Sequence, residues 1–235
     1  MATLNDTADL SFTASQGKGQ ADAPLTKPQA MVTVDIVVLT VQDWELKVLL
    51  IKRAHAPFQG YYALPGGFVR AEEALEDAAF RELREETGTE DLYLEQLYTF
   101  GDPGRDPRGQ VVTVAYYALV PADRSPLLAT TDVASAHWFP ISGLPALAFD
   151  HARILACAVT RLRNKLEYTT VGFELLPRKF TLTALQRLHE AILGKALDKR
   201  NFRRKILSLG LVMPTKEMEA TGRKPAQLYS FRQPG

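Results

Sequence analysis

A glycine-rich turn followed by a helix that carries three clustered carboxylates is the feature that most restricts the fold of this 235-residue chain. The turn lies at residues 64–67, and the stretch Glu72–Thr87 after it has few β-branched residues, which predicts a helix. Side chains three and four positions apart on a helix share one face, with Cβ atoms about 5–6 Å apart. The face formed in this way carries Glu82, Glu85 and Glu86.

The carboxylate face has two interpretations. Like charges this close repel one another, and Mg²⁺ or Mn²⁺ would neutralise them while also binding the phosphate oxygens of a substrate. The glycine turn allows close backbone approach and offers the Gly66 carbonyl as a further ligand. An acidic helix face on its own, however, is commonly a solvated surface. The residues around the carboxylates decide between the two.

These residues follow a longer fixed pattern. Gly67 is followed after five residues by Glu73, and after seven more by RELREETG at residues 81–88. The string resembles the Nudix box, G-x5-E-x7-R-E-U-x-E-E-x-G-U, in which U is a bulky aliphatic residue. The one departure is Thr89 at the last position, which is a packing position. The resemblance implies an α+β protein with the Nudix fold, an α/β/α sandwich with a mixed sheet, that hydrolyses a nucleoside diphosphate linked to another group.

The resemblance also implies roles for individual residues, with Mg²⁺ or Mn²⁺ as the cofactor. The implied catalytic residues are Glu82, Glu85 and Glu86, and the implied metal ligands are these three with the Gly66 carbonyl. The residues implied to hold the loop and the helix in place are Gly67, Glu73, Arg81 and Gly88. The box leaves open which group acts as the catalytic base.

Apolar patterning around the box predicts a mixed sheet with helices across it. The predicted strands are 31–40, 46–52, 92–100, 111–120 and 137–140, and a second amphipathic helix is predicted at 152–166. The predicted domains are a disordered tail at 1–29, a Nudix domain at 30–166, and a winged-helix domain at 167–235 that begins with a connector over 167–179.

Substrate selection depends on residues outside the box. Asp35 lies between apolar strand residues, and it is either a solvent-facing position or a hydrogen-bonding group for a ligand near the end of the sheet. Arginines on a flexible loop at 101–109 can grip phosphate oxygens, and aromatic residues before the glycine turn can stack on a base. Surface and core positions are the competing interpretations. The candidate substrate-binding residues are Asp35, Arg53, Phe58, Tyr61, Arg105 and Arg108.

The net charge of +1 is the sum of two segments whose charges have opposite signs. Residues 1–160 hold 12 basic and 21 acidic side chains, a charge of −9, whereas residues 161–235 hold 16 basic and 6 acidic, a charge of +10. The basic segment contains two predicted helices, 181–193 and 199–209, followed by two short strands around a basic tip. This order outlines a winged helix-turn-helix, and the charge split indicates two modules with different partners.

The second of these helices is predicted to meet double-stranded DNA. Asp198 caps it, and Phe202, Ile206 and Leu207 are expected to face the core of the module. Lysines and arginines would contact phosphates and Asn201 would read a base edge, although a solvated basic face is the alternative. The candidate DNA-binding residues are Lys199, Arg200, Asn201, Arg203, Arg204, Lys205, Arg223 and Lys224.

Longer runs resemble one branch of the Nudix superfamily. They are TFGDPGRDPRG at 99–109, HWFP at 137–140, LAFDHARIL at 147–155 and the basic C-terminal segment. Over about residues 31–232 the chain resembles the Nudix-related transcriptional regulators (NrtR) and similar ADP-ribose pyrophosphatases. The resemblance implies a homodimer that binds ADP-ribose and DNA and represses genes of NAD metabolism.

Two compatible functions follow. The first is a Mg²⁺-dependent hydrolase that cleaves ADP-ribose to AMP and ribose 5-phosphate, which the intact box favours. The second is an ADP-ribose-responsive repressor with weak or no hydrolysis, which the basic segment favours. The single cysteine, Cys157, and the lack of a secretion signal or a membrane-spanning apolar run predict a cytoplasmic protein with no membrane partner.

Overall fold

Two modules follow one another along the chain, one built on a seven-stranded sheet and one on a three-stranded sheet. A computed structural model describes residues 29–88, 92–121, 123, 136–220 and 225–232. The first module contains β1 (Met31–Gln42), β2 (Glu45–Lys52), β3 (Tyr62–Ala63), β4 (Gly66–Phe68), α1 (Leu75–Thr87), β5 (Tyr93–Phe100), β6 (Val111–Leu119), β7 (Ala136–Pro140) and α2 (His151–Tyr168). A short 3-10 helix (Val171–Leu175), β8 (Lys179–Thr181), α3 (Leu182–Leu193), α4 (Lys199–Ser208), β9 (Val212–Glu219) and β10 (Ala226–Phe231) follow. Within those ranges no helix is both long and apolar enough to cross a membrane.

Strand β1 is central to the large sheet, whose main path is β3-β2-β1-β6-β5. It runs parallel to β6, and the other strand pairings described in this sheet are antiparallel. On its other side, β4 pairs with its first half and β2 with its second half. This register sets Asp35 of β1 opposite Gly66, so that the glycine turn and Asp35 meet at one place.

Apolar residues of β1 alternate between the two faces of the sheet, as the period of a strand requires. Val34, Ile36 and Val38 pack in one cluster with Leu83 of α1. Val37 and its neighbours on the opposite face pack with α2. Because a helix covers each face, the predicted α/β/α sandwich with a mixed sheet is confirmed.

The core on the α2 face continues into the second module. One apolar cluster joins β1 to Leu162 of α2, Leu185 of α3 and Phe202 of α4. At its edge the Arg187 guanidinium of α3 lies 5.2 Å from the ring centroid of Trp44, in the turn between β1 and β2. The two modules therefore share one hydrophobic core, which we call the shared core.

The segment at 167–179 is not the simple connector that the sequence predicts. Helix α2 extends to Tyr168, and the 3-10 helix follows within three residues. Val171, Leu175 and Leu176 are buried in the shared core, and this burial folds the segment against α2. The predicted domain limits stay predictions. The tail predicted at 1–29 lies outside the described residues except for Gln29.

Helices α3 and α4 form the predicted helix-turn-helix. The Thr181 hydroxyl accepts a hydrogen bond from the Ala184 amide at 3.1 Å at the start of α3. Gly194 ends this helix with a left-handed φ of 69°, a conformation that glycine adopts without steric cost. β8, β10 and β9 then form a small antiparallel sheet in that order, which completes the winged-helix architecture.

One face of α4 packs inward and the other is open to solvent. Phe202 and Ile206, four positions apart, are buried as predicted. The prediction for Leu207 is wrong, because its side chain is 49% exposed. At 3.6 residues per turn, position 207 is rotated by about 100° from position 206 and points away from the core.

Replacing Asp198 by alanine is expected to lower the free energy of unfolding by about 1 kcal/mol, since the cap of α4 is lost. The Asp198 Oδ1 atom accepts a hydrogen bond from the Asn201 amide at 2.8 Å. Urea unfolding followed by circular dichroism measures the change. Asp198→Ser keeps an acceptor and is the matched control, which should lose much less; equal losses for the two variants would contradict a capping role.

Candidate functional site

The glycine turn lies directly against the carboxylate helix. Gly66 and Gly67 begin β4, and α1 ends at Gly88, whose φ of 67° is left-handed. A Cβ atom at position 67 would collide with the Glu82 carboxylate. A side chain at this position would displace the Glu82 carboxylate, so glycine lets the turn and the carboxylate lie in contact, which brings two parts of the predicted box together.

Glu73 and Arg81 fasten the loop to the helix. Arg81 Nε donates to Glu73 Oε1 at 2.7 Å and Arg81 Nη2 donates to Oε2 at 3.0 Å. The Arg70 amide donates to the same carboxylate at 2.9 Å. The hydrogen bonds from Arg81 lower the pKa of Glu73 to about 2. Arg81 Nη1 also donates to Glu82 Oε1 at 2.6 Å, so one guanidinium links the loop with the carboxylate face.

Glu86 is the most buried carboxylate of this face that the described residues leave with an unpaired oxygen. Its Oε2 atom is buried and has no hydrogen-bond partner in the part of the chain that the structure describes. Burial, together with the nearby charges of Glu82 and Glu85, raises the pKa of Glu86 to about 7. Burial also raises the pKa of Glu82, although Arg81 acts in the opposite direction. A buried carboxylate oxygen beside two like charges is chemically matched to a cation.

The carboxylate set fits Mg²⁺ or Mn²⁺, because its ligand atoms are hard oxygens and the Glu86 oxygen has no hydrogen-bond partner among the described residues. Among the described residues, no three acidic, histidine or cysteine side chains already surround a common point as a finished metal centre. Arg81 holds Glu82, and its Nη1 atom lies 3.7 Å from Glu85 Oε1. Arg70 Nη2 lies 3.8 Å from the same oxygen, so Arg81 and Arg70 both bring positive charge to this face.

A polar pocket of about 210 Å³ lies beside the glycine turn. The candidate substrate-binding residues that line it are Asp35, Arg53, Arg105 and Arg108. The lining also includes Phe68, Asp106, Phe149 and His151, which the sequence does not single out as substrate-binding residues. The pocket reaches the glycine turn through Gly66 and Gly67, whereas larger cavities of about 740 and 550 Å³ lie where the two modules meet.

Asp35 is buried, with 7% of its surface exposed, so the solvent-facing interpretation is wrong. Arg105 Nη2 lies 3.5 Å from Asp35 Oδ2 and 2.6 Å from Asp150 Oδ1. His151 Nδ1 accepts a hydrogen bond from the Leu64 amide at 2.9 Å, and its Nε2 lies 3.6 Å from Asp35 Oδ1. Burial lowers the pKa of His151, which favours a neutral ring with its proton on Nε2, facing Asp35.

The loop at 101–109 is braced rather than flexible. The side chain of Arg105 is 4% exposed, and it joins the sheet to the start of α2. Arg108 Nη2 donates to Asp106 Oδ2 at 2.6 Å, and Asp106 is buried. Arg153 of α2 pairs with Asp102 at the start of the loop. The side chain of Arg108 is 37% exposed, so of the two candidate loop arginines it is the more open to a ligand.

Aromatic residues surround the outer part of the pocket. Phe58 and Tyr61 are exposed and do not line the pocket, but the ring of Phe58 lies 4.8 Å from that of Phe149. Phe149 also contacts Arg53 and Arg108. The signal that could have revealed Phe149 is the run FDH directly before an amphipathic helix, because residues that precede a helix N-terminus often contact the loops beside it.

The candidate DNA-binding residues of α4 lie mostly on its open face. The exposed ones are Lys199, Arg200, Asn201, Arg204 and Lys205. Arg203 differs, because its Nη2 donates to Thr183 Oγ1 of α3 at 3.0 Å and braces the two helices. Arg223 and Lys224 lie outside the described residues.

Together the sandwich, the glycine turn against a carboxylate helix, and the basic helix-turn-helix define a Nudix domain joined to a winged helix. Residues 30–157 match the NUDIX domain family, and residues 172–231 match the NrtR DNA-binding winged helix domain. The chain is 38% identical over 232 residues to the ADPR responsive transcriptional repressor NtrR of Acinetobacter baylyi, which covers 97% of this chain and 90% of that protein.

One further relative matches about half of the chain, and one solved structure matches most of it. It is 42% identical over 109 residues to the ADP-ribose pyrophosphatase of Methanocaldococcus jannaschii, 46% of this chain and 63% of that protein. The crystal structure of Shewanella oneidensis NrtR complexed with a 27mer DNA matches with a TM-score of 0.78 at 38% identity, over 86% of this chain and 93% of that one. The chain belongs to the NrtR family of Nudix proteins with a DNA-binding winged helix.

Proposed function

We propose that the protein is an ADP-ribose-responsive transcriptional repressor whose Nudix domain binds ADP-ribose and whose winged helix binds double-stranded DNA. The observation that carries the proposal is the shared core, because it joins a pocket lined by arginines to a helix-turn-helix with an exposed basic helix. The name of the Acinetobacter baylyi relative supports the same assignment over nearly the whole chain.

The pocket is suited to a diphosphate. Arg53 and Arg108 are guanidinium groups at its wall, and guanidinium groups bind phosphate oxygens through paired hydrogen bonds. Asp35 and Arg105 are already paired to each other, so in this proposal they fix the pocket wall. Phe58 and Tyr61 offer exposed rings on which a base can stack.

Contacts to DNA are proposed for the open face of α4. Lys199, Arg200, Arg204 and Lys205 would contact phosphates, and Asn201 would contact a base edge. A homodimer is part of the proposal because helix-turn-helix proteins read paired half-sites as dimers. The proposed domains are residues 30–166 for the Nudix domain and 167–235 for the winged helix.

Hydrolysis of ADP-ribose to AMP and ribose 5-phosphate is the second candidate function. The specific observation that favours it is the Glu86 oxygen, which is buried beside two other carboxylates and lacks a partner among the described residues. The identity to an ADP-ribose pyrophosphatase of Methanocaldococcus jannaschii adds support for the Nudix domain alone.

In that reaction Glu82, Glu85, Glu86 and the Gly66 carbonyl would hold the divalent cation. When bound, the cation supplies positive charge to the pyrophosphate and lowers the pKa of the attacking water. Arg81 and Glu73 keep the loop and the carboxylate helix in register. Arg53 and Arg108 would orient the diphosphate from the opposite wall of the pocket.

The proposed regulator is tested by DNA binding with and without ADP-ribose. A duplex selected from a random library on the purified protein is labelled, and its Kd is measured by fluorescence anisotropy at low and moderate salt. We expect the Kd for the selected duplex to change at least about fivefold with ADP-ribose, the usual lower range of allosteric coupling.

AMP and a scrambled duplex are the controls. AMP should change the Kd much less than ADP-ribose does, and the scrambled duplex should bind more weakly at both salt concentrations. Equal binding of selected and scrambled DNA with no response to ADP-ribose would contradict the proposed function.

A further inference from the structure

Phe149 has a backbone conformation that a large side chain rarely adopts. Its φ is 51°, in the left-handed region that is costly for residues other than glycine. Such conformations persist only where surrounding contacts hold them, and they cluster at ligand-binding sites. The contacts of its ring therefore indicate what the conformation achieves.

The ring contacts two guanidinium groups. Arg53 Cζ is 4.8 Å from the Phe149 ring centroid, and Arg108 Cζ is 5.5 Å from it. Arg108 also lies 5.0 Å from the ring centroid of Phe68. All three distances fall within the range of cation–π attraction, about 6 Å. The four side chains form a row, which we call the guanidinium row: Arg53, Phe149, Arg108 and Phe68.

Each arginine is also fixed by a second contact. Arg53 Nε donates to the Pro57 carbonyl at 2.8 Å, and Arg108 is hydrogen-bonded to both oxygens of Asp106. Burial and the charge of Arg108 lower the pKa of Arg53. The two cations thus lie near one another, and the charges of Asp106 and Asp35 offset part of their repulsion; an anion of two or more charges would offset more of it.

We propose that Phe149 is a positioning residue that spaces Arg53 and Arg108 for two linked phosphate groups, so that the guanidinium row sets a preference for diphosphates over monophosphates. This inference rests on the proposed function for the location of the ligand, and it names the chemistry that the pocket selects. A single phosphate engages one guanidinium well, whereas a diphosphate engages both. The spacing then matters for the diphosphate alone.

The test measures binding of pyrophosphate and of orthophosphate, without metal, to the full chain by isothermal titration calorimetry. Phe149→Leu removes the ring but keeps an apolar side chain at the same backbone conformation. We expect it to weaken pyrophosphate binding about tenfold, as the loss of two cation–π contacts predicts, while orthophosphate binding changes by less than about twofold. Phe149→Tyr keeps the ring and should retain the preference.

A double-mutant cycle separates positioning from packing. Arg53→Lys keeps the charge but removes the planar group that stacks on the ring, so its effect on pyrophosphate binding should be smaller in the Phe149→Leu background than in the wild type. If Phe149→Leu weakens both anions equally, or if the two effects simply add, the positioning role is overturned.

Folding and the proposed function are checked separately. Thermal unfolding reports whether Phe149→Leu folds, and if it does not, Phe149→Met, which also removes the ring and keeps an apolar side chain, replaces it in both measurements. Because inorganic anions are the probes, a protein that prefers pyrophosphate but ignores ADP-ribose in the DNA assay would contradict the proposed function and support this inference. A wild-type protein with no preference for pyrophosphate would overturn this inference alone.

Discussion

Glu86→Gln is expected to lower the rate of Mg²⁺-dependent ADP-ribose hydrolysis by about a hundredfold or more. A metal ion supplies several kcal/mol of transition-state stabilisation, and each 1.4 kcal/mol is about tenfold in rate. Glutamine keeps the shape of the side chain but removes the negative charge of the buried oxygen that lacks a partner among the described residues. Release of AMP, measured by chromatography with and without Mg²⁺, gives the rate.

The stability of the same variant shows whether the loss is local. Glu86 is buried near two like charges, so glutamine should not lower the melting temperature in the absence of metal. Mg²⁺ should raise the melting temperature of the wild type and much less that of Glu86→Gln. Glu76→Gln is the matched control, because Glu76 is an exposed carboxylate in the first turn of the same helix.

Several outcomes would contradict the hydrolase candidate. Wild-type turnover no faster than that of Glu86→Gln would remove the hydrolytic function and leave the repressor proposal in place. A similar loss in Glu76→Gln would show that the rate responds to the general charge of α1 rather than to the carboxylate face.

Arg200→Glu is expected to weaken DNA binding by about a hundredfold, because a like charge placed against a phosphate costs several kcal/mol. Arg200 is exposed near the start of α4, where a helix also presents its positive dipole end. The slope of log Kd against log salt should decrease by about one, which is the contribution of one phosphate contact. Fluorescence anisotropy over a series of salt concentrations measures both quantities on the selected duplex.

Lys47→Glu is the control for net charge. Lys47 lies on β2 of the Nudix domain and pairs with Asp43, so the same change in total charge occurs on the first module and not on α4. We expect its DNA affinity and salt slope to stay close to those of the wild type. Equal losses for Arg200→Glu and Lys47→Glu would mean that DNA responds to total charge and that α4 is not the contact surface.

Elements that depend on residues close together in the sequence were predictable from it. The pattern of the box gave a helix that ends at Gly88, and the structure ends α1 there with a left-handed glycine. The cap at Asp198 and the stop at Gly194 were likewise local signals, and both are present. Strands β3 and β4 were missed because two or three residues are too few to show a period.

The arrangement of the pocket was less predictable because its contacts cross the chain. Asp35 looks like an isolated charge in a strand, but its partner Arg105 is 70 residues away. Arg105 also donates a hydrogen bond to Asp150, another 45 positions along the chain. A loop that looks flexible in sequence is therefore held on both sides. Leu207 differs from its prediction for another reason. Its apolar side chain predicts burial, but its angle around α4 points it towards solvent.

The shared core limits how recombination can separate the two domains. Dividing the chain between α2 and α3 into two separate proteins would expose Leu162 and Leu185, which are fully buried in one cluster. Recombination that exchanged the winged helix alone would have to supply a new surface matching α2 at the same time. In this chain we therefore expect the two domains to tolerate exchange only together, because either one alone would leave part of the shared core open to solvent.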